Sequence, residues 1–95
     1  MKEHSSTLHL VLRHKWYELI EKGIKKEEYR LINDYWKNRL GKYSYNYVCF
    51  HRGYTTRCLK FKIKNIKRGL GRPEWGAPEF EVYIISIGKF MGFSS

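Results

Sequence analysis

Acidic residues are missing from the middle of this chain: none occurs between Asp34 and Glu74. Eleven lysines and arginines fall in that same stretch, and the 95 residues together carry a net formal charge of +10. A solvated face without a partner ordinarily mixes its signs, so such one-sided charge points to a polyanion. Cysteine is scarce as well. Cys49 and Cys58 are the only two, too few for a closed zinc site and not arranged as Cys-x-x-Cys. The four histidines (His4, His9, His14 and His51) are scattered, so neither a metal nor another cofactor is expected. No apolar run approaches the roughly 18 residues a membrane helix needs, and none follows Met1-Lys2-Glu3-His4-Ser5-Ser6 as a signal peptide would require. A cytoplasmic protein with free thiols and no membrane partner is the expectation.

What is present suffices for one core. Hydrophobic residues make up 42% and aromatic residues 17%, which favours a single folded domain over residues 1–95 rather than a disordered basic tail. The pattern predicts a first strand over Ser6–Leu12 and a helix over Arg13–Lys22, in which Trp16, Leu19 and Ile20 recur at helical spacing. Gly23 follows as the residue that can end it. A strand over Lys26–Ile32 comes next. Asn33 then caps a short helix over Asp34–Leu40, which Gly41 would close.

A hairpin is legible beyond that. Val48 and Phe50 alternate on one segment, and Leu59, Phe61 and Ile63 on another, about a turn at Arg52-Gly53-Tyr54-Thr55. A register in which paired residue numbers add to 107 puts these apolar sets on one face and sets Cys49 opposite Cys58. The other face carries Tyr45, Tyr47 and His51 beside Lys60, Lys62 and Lys64. Two readings of it stay open: a platform for phosphates and stacked bases, or half-buried tyrosines beneath lysines that keep a sheet soluble. Asn65 to Pro78, rich in glycine and holding both prolines, is expected to be a long functional loop with Trp75 as lid or plug. A last, doubly apolar strand spans Phe80–Phe90.

One octapeptide concentrates the chemistry: Gly23-Ile24-Lys25-Lys26-Glu27-Glu28-Tyr29-Arg30. On a strand Glu28 and Arg30 point the same way, about 7 Å apart along the chain, and Lys25 stands at the strand's mouth. Spacing alone favours reading the pair as an ordinary exposed ion pair. As Gly-x-Lys-x-x-Glu-x-Arg, preceded by the Trp-x-x-Leu-Ile helix and the strand Leu8–Leu12, it resembles the ASCH domain, a branch of the PUA-like superfamily. The segment Pro73-Glu74-Trp75-Gly76-Ala77-Pro78 adds to the likeness, which runs from about Thr7 to Phe90.

The resemblance implies an α+β fold, a small PUA-like β-barrel with one main α-helix and one short helix, and an RNA-binding protein whose basic cleft lies between the first helix and the barrel. The expected RNA contacts are Lys25, Glu28, Arg30, Arg52, Lys60, Lys62 and Arg72, with Trp16 or Tyr29 as the nearest aromatics, although Trp16's spacing suits the core. An enzyme acting on RNA or a modified nucleoside is the alternative, with Lys25 and Glu28 as candidate catalytic residues and His14 or His51 as proton carrier. One ASCH branch hydrolyses N4-acetylcytidine with a Lys, a Thr and a Glu. The Lys matches Lys25, but Glu28 stands where the Thr would be, and Glu79 is a loose match for the Glu. A protein-interaction module is the third reading.

Overall fold

The computed structural model describes residues 7–42, 44–55 and 57–94; Ser6, where the first strand was expected to begin, and His4 lie outside them. The elements are β1 (Thr7–Leu12), α1 (His14–Glu21), β2 (Glu27–Arg30), α2 (Asp34–Lys42), β3 (Tyr47–Arg52), β4 (Cys58–Gly69), a 3-10 turn over Pro73–Trp75, and β5 (Val82–Ser94). The strands form one sheet in the order β1-β3-β4-β5-β2. Only β1 and β3 run parallel; the other neighbours are antiparallel. The sheet is curled into a half-barrel accompanied by two helices.

Alternation builds the interior. Leu8, Leu10 and Leu12 of β1 turn inward, as do Val48 and Phe50 of β3 and Leu59 and Phe61 of β4. They meet Tyr17 and Ile20 of α1, Leu40 of α2, and Ile85 and Ile87 of β5 in one cluster. The curl has a local cause. The β4–β5 ladder shifts register between Lys60 and Phe61, Phe61 and Ile63, and Ile63 and Asn65, and each such bulge bends and twists the pair. Arg30 reaches across from one edge strand to the other, donating through Nη2 to the Val11 carbonyl at 3.2 Å.

Four details differ from the sequence-based expectation. The helices are similar in length, eight and nine residues, so neither is the main one. The hairpin pairs Val48 with Phe61 and Phe50 with Leu59, a register two residues from the one expected. Cys49 therefore faces Lys60, and Cys58 faces His51. A two-residue slip keeps every side chain on its own face, so hydrophobic alternation cannot detect it. The tight turn gives way because the Gly53 N–H donates to the Leu12 carbonyl of β1 at 2.9 Å while Thr55 Oγ1 donates to the Arg52 carbonyl at 2.8 Å. Third, β4 runs on through the expected loop to Gly69, paired with β5 as far as Val82. Last, β5 continues past Phe90 to Ser94.

Candidate nucleic-acid groove

The end of α1 delivers Lys25. Gly23 adopts φ 77°, and the N–H groups of both Ile24 and Lys25 turn back to the Leu19 carbonyl. This hooks the chain so that the Lys25 side chain enters the protein, where the residue is 1% exposed. Its ammonium donates to the Trp75 carbonyl at 2.5 Å and lies 3.3 Å from Glu28 Oε1. The Trp16 and Tyr29 rings stand 5.1 and 4.7 Å from it. Burial pulls the Lys25 pKa below its ordinary value, and the Glu28 carboxylate opposes that pull. Glu28 Oε2 accepts from Arg30 Nη2 at 2.7 Å, and the guanidinium lies 5.2 Å from the Trp36 ring. Lys25, Glu28 and Arg30 thus converge, as a line of charges bridged by one buried carboxylate.

That line fastens the segment between β4 and β5. Besides the Lys25–Trp75 bond, the Arg72 N–H donates to the Tyr29 hydroxyl at 3.0 Å, and that hydroxyl donates to Glu27 at 2.8 Å. Burial raises the Tyr29 pKa, which keeps the hydroxyl protonated. Gly71 packs so tightly on Tyr29 that a Cβ there would lie 2.4 Å from the ring. Gly76, at φ 96°, lies against Trp16. Trp16 is therefore half-buried beneath this segment, while Tyr17 and Ile20 are the buried residues of α1.

Beside the fastened segment runs a groove. A cavity of about 440 Å³ lies between the end of α1 and the barrel, with Ile20, Gly23, Lys25 and Lys26 on one side and Phe61, Lys64, Ile87 and Gly88 on the other. Lys26, Lys64 and Ile87 are shared with a second cavity of about 230 Å³, which adds Glu27, Arg72, Trp75 and Ser86. Arg72 stacks on Trp75 at 4.8 Å. On the far side of Tyr29, a cavity of about 310 Å³ is bordered by Arg30, Leu31, Trp36 and Pro78.

The expected contact residues divide between locations. Lys25 and Arg72 line the groove, and Arg30 the cavity by Trp36. Arg52 is elsewhere, donating to His14 Nδ1 at 2.7 Å, and His14 Nε2 contacts Glu18 at 2.7 Å. Lys60 lies over Tyr47 at 4.5 Å on the outer face of the sheet, and Lys62 is exposed. There His51 meets His9 at 2.9 Å, so neither His14 nor His51 lines the groove. Glu79 is exposed and lines none of these cavities. Cys49 and Cys58 are buried free thiols, and burial together with Cys58 pushes Cys49 up to about 11. The sequence reading missed Lys26, Ser86 and Trp36 and set Lys64 on the other face of the hairpin. Lys64 carried a misleading signal: strict alternation groups it with Lys60 and Lys62, whereas the bulges around Ile63 bring it to the groove that Phe61 lines.

Among the described residues, no group of three or more His, Cys, Asp or Glu side chains is placed to hold a metal ion, and no helix is long and apolar enough to cross a membrane. No family model, curated protein or solved structure matches the chain.

Proposed function

We propose that this chain is a cytoplasmic RNA-binding module of the ASCH type, a PUA-like half-barrel that takes its ligand in the groove between α1 and the sheet. One observation carries the reading: Lys26, Lys64 and Arg72 surround a cavity that also offers the Trp75 ring and the Ser86 hydroxyl. Three cations, an aromatic face and a hydroxyl suit a phosphodiester with its sugar and base. Glu27, already accepting from Tyr29, lines the same cavity and is an acceptor for a base amine. In this reading Lys25, Glu28 and Arg30 act mainly by holding the Trp75 segment, so that Arg72 and Trp75 meet the ligand in a fixed geometry. Binding is favoured over chemistry because the Lys25 ammonium already has a carbonyl and a carboxylate as partners and is closed off from solvent.

Titration of a labelled RNA at several salt concentrations tests this. Three phosphate contacts give a slope of log affinity against log salt of about −2 to −3, and Lys64→Ala or Arg72→Ala each makes it shallower by about 0.7–0.9. No binding at low salt, or binding indifferent to salt, refutes the proposal.

A further inference from the structure

The groove does not end at Phe61. Phe61, Ile20 and Gly23 are shared with a further cavity of about 270 Å³, bordered also by Leu59, Phe90 and Phe93. The aromatic rings form a ladder from the core to the surface. Phe50 and Phe61 are buried, whereas Phe90 is 45% and Phe93 59% exposed. Successive centroids lie 6.0, 5.3 and 5.4 Å apart. Arg57 lies over the Phe93 ring at 5.3 Å.

Residues three apart on a regular strand face opposite sides, so Phe90 and Phe93 should not be neighbours. An irregularity makes them so. Phe61 pairs with Phe90 but Lys60 with Gly92, which leaves Met91 as an extra residue, and Gly92 takes φ 118°. A bulge of this kind re-aims side chains, and here it sets two half-exposed rings at one end of a groove whose other end is cationic. Phe90 and Phe93 both lie outside the buried core cluster to which Phe61 belongs.

We infer that Phe90 and Phe93 form a base-stacking subsite, which commits the groove to single-stranded polynucleotide: unpaired bases on the phenylalanines, the connecting backbone toward Lys64 and Lys26. This rests on the RNA-binding reading and adds strandedness to it. In a duplex the base faces are covered by their neighbours, so exposed rings gain nothing from it, whereas every unpaired base offers a face to stack on. Charge complementarity selects this occupant: the apolar end, where Glu21 and Arg57 offset each other at 3.9 Å, opens into a groove flanked by the exposed cations Lys26 and Lys64.

The test uses the full chain with two RNA probes, a single-stranded oligonucleotide containing 2-aminopurine and a duplex of equal length. The wild-type protein is expected to prefer the single strand and to change the 2-aminopurine fluorescence by stacking. Phe93→Leu keeps an apolar side chain without a ring and is expected to weaken single-strand binding roughly tenfold, leaving duplex affinity and the salt slope unchanged. Phe93→Tyr, which keeps the ring, is expected to restore both affinity and fluorescence change. RNA binding that survives Phe93→Leu undiminished overturns the stacking subsite and leaves the RNA-binding reading standing. Absence of any binding by the wild type at low salt overturns both. Sedimentation showing a wild-type dimer that Phe93→Leu dissociates, with RNA affinity unaltered, gives the rings to a second copy of the chain and likewise overturns the inference.

Discussion

Replacing Lys25 with methionine removes a charge but little volume, and so probes what the buried line Lys25–Glu28–Arg30 contributes. Breaking a buried pair by deleting one partner commonly costs 3–5 kcal/mol, because the other charge is left uncompensated. Here Glu28 keeps Arg30 at 2.7 Å, so only part of that applies. The Trp75 carbonyl loses its donor, a loss of about 1–3 kcal/mol when the acceptor stays dry. Against these losses, methionine escapes the desolvation that lowers the Lys25 pKa. The net expectation for Lys25→Met is a loss of about 2 kcal/mol, or roughly 8–16 °C in melting temperature for a domain of this size. Glu28→Gln is expected to be worse, about 3–5 kcal/mol, since it leaves two close cations without their carboxylate. The double variant should lose less than the sum, with a coupling of about 1–3 kcal/mol. Urea and thermal unfolding of the four proteins measure all of this. A pH series adds a second readout. The Lys25 pKa in the folded protein lies below its ordinary 10.5, so between the two values the unfolded chain binds more protons and stability rises with pH. Lys25→Met should lose that rise. A Lys25→Met protein within about 0.5 kcal/mol of wild type, or a Glu28→Gln protein no weaker than Lys25→Met, would refute the reasoning.

The remaining expectations follow from single contacts. Gly76→Ala forces a side chain onto φ 96° and 2.9 Å from Trp16; a loss of about 1–3 kcal/mol in urea unfolding, together with weakened RNA binding, is expected. The His9 pKa is lowered from 6.5 by burial, then by His51 and Lys60, so below 6.5 the unfolded chain binds the extra proton and stability falls as pH drops through the lowered value. Melting curves of His9→Gln should show a weaker acid dependence than wild type. Incubation with N4-acetylcytidine, followed by chromatography for released cytidine, should show no turnover, because Glu28 would set negative charge beside a developing oxyanion at the motif position where the Thr would stand. Turnover abolished by Lys25→Ala would reverse that conclusion.

Local chemistry was enough to place several elements. Gly23 ends α1 and hooks Lys25 inward, which follows from a glycine's access to positive φ. Glu28 and Arg30 share a side because strand side chains alternate, and they do meet. Asn33 caps α2, its side-chain oxygen accepting from the Trp36 N–H at 2.9 Å. The inward alternation of β1, β3 and the start of β4 was legible for the same reason.

What period and propensity leave open is settled by partners distant in sequence. The hairpin register depends on Gly53 finding the Leu12 carbonyl, 41 positions back along the chain, and a slip of two leaves the hydrophobic pattern unchanged. A glycine-flanked, lysine-rich run became strand because β5 lay alongside to pair with it. The extent of Lys25's burial could not be read either, since a carbonyl 50 residues away closes over its ammonium. The bulges of the β4–β5 ladder decided the most, turning Lys64 toward the groove and bringing Phe90 beside Phe93. Alternation is a property of one strand, whereas a bulge is a mismatch between two, and only the pairing in space defines it.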